Sequence, residues 1–448
     1  MKKHFPLLAA ALMSAGLTAS LPTRADDLLS LYREAVEADA TWRAAQSGAA
    51  ASRELKPQAL AQLLPNVSFS GNQFKNDLER ERPVGFGMAQ DYKYDSNNYS
   101  VGLTQPLFRA GTFIAWQQSQ ALVQGAEADL LWAEQEVGSR VAAAYFEALL
   151  VEGNLEVTRA QRDAYLTQLD YAQKAFQTGS GTRTDIDEAR SQLDLAVAQT
   201  IGLQYQLNYA RDALRAIIDR PLTPLSRLNP NRLELVRPDP DRLEDWIRKA
   251  EEANPRLAAM RANVEAASLQ VKKAMVGHLP TVDFVAQRVK SESSSDNLVD
   301  TKDDNKIYGL RFEMPIFSGG AMQSQVRQAR AELDQSRERL EEMRRAIGLQ
   351  VRKEFDSTAQ GVSWVRAFEQ AVKSAEQALV STRKGFMAGT RTTLDILTAE
   401  QNLATARRDL HRGRCQYVLS RMQLLALTGG LSEAEIAKFN GWLEERTE

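Results

Sequence analysis

One cysteine, Cys415, stands alone in 448 residues, so the chain can form no internal disulfide. Histidine is almost as scarce, at His4, His278 and His411, and scattered residues of these two types make no metal-ligand cluster. There is no G-x-S-x-G, no glycine-rich phosphate cradle and no H-E-x-x-H, which leaves hydrolase, nucleotide-driven and zincin chemistry without residues to carry it. These absences point away from an enzyme, and they imply neither a cofactor nor a metal. Neither sign of charge dominates: the formal charge is −2, which argues against a nucleic-acid binder or a basic membrane-surface protein. Long apolar runs are missing except at the start. There Lys2, Lys3 and His4 precede a mostly apolar stretch from Phe5 to Leu21, and Thr23-Arg24-Ala25 offers a small–x–small cleavage site. Residues 1–25 therefore read as an export signal. The run is short for a membrane anchor, and no cysteine follows it to accept a lipid. Cleavage removes three positive charges and no negative one, taking the formal charge from −2 to −5.

Proline is absent from two long windows, between Pro106 and Pro221 and after Pro315. Each window is expected to hold a very long helix and a returning one. The long helices span about residues 111–177 and 319–386, each on the order of 100 Å at about 1.5 Å per residue. The returning helices span about 184–218 and 393–427. Apolar residues recur every seventh position at Trp116, Val123, Leu130 and Val137, and again at Val326, Leu333, Leu340 and Ile347. Such ladders form lengthwise coiled-coil seams. Small residues such as Ala142, Ala143, Ala144, Ala196 and Ala198 permit close approach of neighbours.

The two windows are copies of one unit. Phe176, Gly179, Thr182 and Asp185 recur 210 residues later as Phe386, Gly389, Thr392 and Asp395, and Leu193, Leu207 and Leu214 as Leu403, Tyr417 and Leu424. Ahead of the helices, YSVGLTQPLF at Tyr99–Phe108 matches YGLRFEMPIF at Tyr308–Phe317. A period this long is a duplicated half-molecule rather than a solenoid repeat. The repeats are expected at 26–218 and 256–428. The proline-rich stretch 219–255 joins them, and 429–448 forms a short amphipathic C-terminal segment. Both links leave the end of a returning helix, so they are expected side by side partway along the rod.

Before each long helix lies a pair of extended segments, expected at about 65–75 with 97–108 and about 280–290 with 306–317. Val101, Leu103, Leu310 and Phe312 fall on one face with Tyr99, Leu107, Tyr308, Met314 and Ile316. Ser100, Gly102, Thr104, Gly309, Arg311 and Glu313 fall on the other. About ten residues of this alternation fit a transmembrane strand, apolar toward lipid and polar toward a lumen. A half-buried soluble sheet would alternate in the same way. The connections, 75–98 and 290–305, are long and polar and read as loops. In lipid a sheet must close. Four strands per chain cannot close a barrel; three chains would supply twelve.

Each helical hairpin turns through FQTGSGTRTDIDEARSQL (176–193) or FMAGTRTTLDILTAEQNL (386–403). Gly179 and Gly389 suit a left-handed helix stop, and Thr182-x-x-Asp185 and Thr392-x-x-Asp395 are capping boxes. Arg391 and Asp395 also suit an ordinary exposed i, i+4 pair. Beyond such local chemistry, the chain resembles the TolC-family outer-membrane channels over essentially its whole mature length. The resemblance rests on FxxGTRTxxDIL at 386–397, the Leu-Pro strand starts at Leu64-Pro65 and Leu279-Pro280, and PIFSGG at 315–320.

That resemblance implies a mainly α fold with transmembrane β: a homotrimer whose twelve-stranded outer-membrane barrel continues into a twelve-helix periplasmic coiled-coil tunnel. An equatorial belt would correspond to 219–255 and the C-terminus. It implies a passive exit duct of a tripartite export system, for type I protein secretion, drug efflux or both. The implied partners are outer-membrane lipid, a periplasmic adaptor (membrane fusion) protein and an inner-membrane transporter of ABC or RND type. Residue by residue, Asp185 and Arg391 match the positions that bridge neighbouring hairpins in the closed periplasmic gate. Asp395 matches a pore selectivity ring, and Gly179 and Gly389 match the adaptor-docking tips. Phe386 stands where the family can place a gate tyrosine, and Thr398 where it can place a second ring aspartate. The alternative is a secreted or periplasmic coiled-coil scaffold, which accounts for the helices and not for the strands.

Overall fold

The structure, a computed structural model, describes residues 25–80, 90–294 and 300–444. All but the last residue of the expected export signal lies outside them. Three short helices lead, α1 (Leu28–Ala38), α2 (Ala40–Arg53) and α3 (Leu55–Ala61). The breaks have local causes: Asp27 caps α1 in a box with Ser30, and Asp39 ends α1 and caps α2 through Trp42 N–H. Strands β1 (Asn66–Arg80) and β2 (Gln90–Phe108) follow, then α4 (Ala110–Gln177) and α5 (Arg183–Ile218). The link holds β3 (Arg227–Leu228) and a helix that sequence reasoning missed, α6 (Leu243–Ala253). The second half repeats the order with α7 (Pro255–Met275), β4 (Thr281–Ser294), β5 (Asp300–Glu313), α8 (Ala321–Met387) and α9 (Thr393–Leu427). It ends in α10 (Glu433–Asn440) and β6 (Leu443–Glu444).

The long helices begin and end within two residues of expectation. At 68 and 67 residues, α4 and α8 are each about 100 Å long. α8 starts at Ala321 because Gly319 and Gly320 both hold positive φ, 59° and 84°. The strands depart further from the sequence reading. Much of what read as polar loop, 75–98 and 290–305, continues the two hairpins as paired strand. Ladder hydrogen bonds join backbones and do not require apolar alternation. At the other end β5 stops at Glu313, so Met314 and Ile316 lie beyond the strand.

The four long strands form one antiparallel sheet in the order β1-β2-β4-β5, so β2–β4 pairing welds the two repeats. Register carries the face assignment across all four. Val67, Leu103, Ala286 and Tyr308 lie opposite one another in one row, and Phe284 with Leu310 and Val282 with Phe312 continue that face. The other face carries Ser68, Gly102 and Gln287, then Ser70, Ser100 and Val289. Val67, Phe69, Val101, Leu310 and Phe312 are exposed within the chain, and β1 and β5 each keep one edge without a partner.

The core sits midway along the helices, where Tyr145, Phe146, Tyr417 and Met422 pack with α1 and α10. The two links do lie together: β3 pairs with β6. Two tyrosine hydroxyls strap the first link down, Tyr145 donating to Ser226 O at 2.7 Å and Tyr417 to Glu234 O at 2.9 Å. Arg220 clamps Asp26 and Glu34, fixing the start of the described chain to the same belt. Above the belt, α4 meets α7 through small residues: a Cβ on Gly125 would lie 3.5 Å from Ala262 Cβ, with Ala121 and Ala266 buried nearby. The expected ladder residues Val123 and Leu130 are only half-buried, so the seam within one chain runs along the small residues instead.

Candidate functional site

The hairpin tips are built by local rules. In the first, Gly179 takes φ +76° and donates to Phe176 O at 3.1 Å, while Ser180 N and Gly181 N reach Ala175 O at 2.9 and 3.0 Å. In the second, Gly389 takes φ +75° and donates to Phe386 O at 2.9 Å. An L side chain at either glycine would be strained in this left-handed region. Each returning helix then starts with a complete capping box. Asp185 accepts from Thr182 N at 2.9 Å, and its own N–H donates to Thr182 Oγ1 at 3.2 Å. Asp395 and Thr392 do the same at 2.8 and 3.2 Å.

Both carboxylates are held ionised. Burial pushes the Asp185 carboxyl up, but hydrogen bonds from the Thr182 hydroxyl, Thr182 N–H and Thr393 hydroxyl together bring it below its ordinary value. Asp395 is lowered by the Thr392 N–H first, then by the Thr392 hydroxyl and the Arg391 charge. The tips thus present fixed negative charge on turns of defined shape.

Within one chain the predicted gate residues are not all brought together. Arg391 meets Asp395 at 3.7 Å, the i, i+4 contact, with its side chain 58 % exposed. Asp185 is instead held by Thr182 of its own capping box. Phe386 packs edge-on against Tyr171 with ring centroids 5.4 Å apart. Thr393, Tyr171, and the buried cluster of Tyr165, Leu169, Ile186 and Leu397 that joins the hairpins were missed from sequence. Thr393 is simply the first residue of α9 and the others are ordinary helix residues, so no spacing in the sequence marks them. A second missed feature lies where the sheet meets the helices. Arg109, just before α4, holds buried Asp283 of β4 with two bonds of 2.8 and 2.6 Å.

Other candidate chemistry is absent among the described residues. No group of three or more His, Cys, Asp or Glu could hold a metal, and no helix is long and apolar enough to cross a membrane. Burial pushes the Cys415 thiol up to about 12, so it is no nucleophile. The arrangement is mechanical: two charged helical tips at one end, and at the other a sheet with an exposed apolar face and two open edges.

The family model described as outer membrane efflux protein matches residues 31–219 and 246–430. The chain is 31 % identical over 412 residues to the alkaline protease secretion protein AprF of Pseudomonas aeruginosa, covering 91 % of this chain and 85 % of that one. It is 28 % identical over 458 residues to the outer membrane protein TolC of Escherichia coli, covering 99 % and 90 %. Its fold superposes on the outer membrane protein VceC of Vibrio cholerae with a TM-score of 0.75, at 20 % identity and over 90 % and 97 % of the two chains.

Proposed function

This chain belongs to the outer membrane efflux protein family, of the TolC kind, and on that premise we propose that three copies close a single duct from periplasm to cell exterior. It is an outer-membrane exit duct. The observation that carries the closed assembly is the sheet itself: four antiparallel strands with an apolar outer face and two unpaired edges, β1 and β5. An open edge in lipid leaves backbone groups unsatisfied, and joining β5 of one copy to β1 of the next satisfies them. Three copies give twelve strands around a polar lumen, and the long helices continue that lumen through the periplasm. A soluble scaffold has no use for such a face.

At the far end the hairpins form the gate. Arg391 holds Asp395 only at long range and is largely exposed, so its remaining guanidinium donors can reach Asp185 on a neighbouring copy's hairpin. Asp395 copies ring the constriction and favour cations. Gly179 and Gly389 mark the turns at which a periplasmic adaptor docks, and an inner-membrane transporter supplies the energy. Likeness to a protease secretion protein supports protein cargo delivered by an ABC-type transporter. The family description names efflux, which fits drug export driven by an RND-type pump as the second reading.

The purified protein in detergent is expected to have three times the chain mass by light scattering and to form discrete ion-conducting channels in planar bilayers. A stable monomer or dimer without conductance overturns the closed-barrel reading. For cargo, cells lacking this chain should retain a secreted protease in the periplasm or cytoplasm, or become sensitive to exported drugs; absence of both defects would refute the duct's export role.

A further inference from the structure

The exposed face of the sheet is not apolar along its whole length. From the helix end outward its rows run Val282 with Phe312, Phe284 with Leu310, then Val67, Leu103, Ala286 and Tyr308. The next two rows break the pattern. Phe69 and Val101 stand beside Arg288 and Lys306, and Gly71 and Tyr99 beside Lys290 and Asp304. The β4–β5 half of these rows is therefore cationic, while the β1–β2 half stays apolar and aromatic. Lys290 and Lys306 are both exposed.

Pairing sets this patch apart from the charged rows beyond it. There Lys75 faces Asp95, Asp77 faces Lys93 and Glu292 faces Lys302, each a pair of opposite charges. Two of these close salt bridges, at 3.1 Å for Lys93 with Asp77 and 2.5 Å for Lys302 with Glu292. Arg288, by contrast, stands directly across from Lys306, and like charges so placed repel. Arg288 turns to Asp304 instead, with bonds of 2.8 and 2.6 Å. Lys290 and Lys306 reach that carboxylate only through space, with no salt bridge of their own among the described residues. Three cations against one carboxylate leave the two rows at a formal +2. Tyr99 leans the other way, its ring 3.0 Å from where a Cβ on Gly71 would lie, and a hollow of about 280 Å³ opens beside Tyr99, Lys290 and Asp304.

The place of the patch selects its ligand. α4 and α8 both leave the opposite end of the strands, so the patch lies on the side of the apolar rows away from the helices. In an outer membrane that side is the outward leaflet, whose glycolipid carries phosphates on a sugar head above its acyl chains. We propose that Arg288, Lys290 and Lys306 bind the phosphates of one such glycolipid, with its acyl chains lying on Tyr308 and Leu310. Charge-assisted bonds to phosphate are strong at the edge of a low-dielectric layer, and an anion seated there offsets the repulsion between Arg288 and Lys306. A zwitterionic phospholipid brings its own cation to the same place and gains less.

This inference rests on the lipid-facing sheet proposed above, and the test separates the two. The purified protein in detergent is titrated in native mass spectrometry with bisphosphorylated lipid A. Phosphatidylethanolamine and inorganic phosphate serve as probes of acyl chains with a zwitterionic head and of phosphate alone. The expected result is a retained lipid A adduct that neither probe displaces. Lys290→Gln with Lys306→Gln should weaken it about thirtyfold and each single change about fivefold, the usual share of one basic residue at an anionic lipid surface. Lys290→Arg with Lys306→Arg should keep it, as should Arg311→Gln on the opposite face. Equal binding of phosphatidylethanolamine, displacement by inorganic phosphate, unchanged binding in the glutamine variants or equal loss in Arg311→Gln each overturns the glycolipid site. Where a conducting closed oligomer still forms, the duct stands. If no closed oligomer forms, both readings fall.

Discussion

Arginine placed at Leu310 or at its neighbour Gly309 tests the proposed lipid-facing and lumenal faces of the sheet within a single peptide bond. Consecutive strand residues project to opposite faces. Leu310 is 69 % exposed and lies opposite Phe284, with Tyr308 and Phe312 on the same face. At Gly309 an added Cβ would meet nothing within 4 Å. Neither arginine therefore clashes inside the sheet, and only the medium bathing each face differs. On a lipid face arginine costs about 2–4 kcal/mol near mid-depth and about 0–1 near the interface. Leu310 stands two residues from Tyr308, or roughly 7 Å along the strand, well inside the apolar band. Three copies in one barrel bring the total to about 6–12 kcal/mol, comparable with the whole folding stability of a typical domain. Gly309→Arg enters water, where a surface change is worth about 0.5 kcal/mol or less. Leu310→Arg should thus abolish the detergent-resistant oligomer in outer-membrane fractions and leave protein in the periplasm, while Gly309→Arg assembles near wild-type levels. Equal losses at both positions, or a greater loss at Gly309, would refute the face assignment.

Three further outcomes follow from the tips and the belt. Arg391→Ser should raise single-channel conductance if the proposed inter-copy bridge to Asp185 holds the gate, while the unfolding midpoint barely moves, since its own-chain contact is a long, exposed i, i+4 pair. Conductance fixed at the closed level would reduce Arg391 to a helix-cap residue. Asp395→Ala should lower the cation-to-anion permeability ratio measured by reversal potential, with gating largely kept because Asp185 and Arg391 remain. His411 titrates against stability: burial holds its imidazole below its ordinary pKa, partly opposed by the Leu149 carbonyl, so the folded state favours the neutral ring. Its share of stability is complete above about pH 6.5 and is lost as pH falls from there toward the lowered folded value, because the unfolded chain then binds the extra proton. Thermal melts should show this decline in the wild type and a weaker one in His411→Ile, the residue type that the first repeat carries at the matching position; identical pH profiles would exclude His411 as its source.

Much of this molecule was legible from residue order alone wherever the cause was local. Proline-free windows, Gly179, Gly389 and two Thr-x-x-Asp boxes set the hairpins to within a residue or two, because a helix stop and an N-cap are settled by atoms a few positions apart. The shared point of attachment foretold that 219–255 and the C-terminus meet. The duplication foretold two equal halves, and the family resemblance named the architecture. Strand length was misread, since inter-strand hydrogen bonds extend hairpins through polar residues such as Asp77 and Lys93 that carry no alternation. Helix α6 was hidden by the prolines around it. Only the tertiary structure joined β2 to β4, set Arg109 on Asp283 and turned Phe386 onto Tyr171. Periodicity along a chain tells which face of a helix seeks a neighbour; which neighbour arrives depends on how distant segments close in space, and no spacing within the sequence encodes that distance.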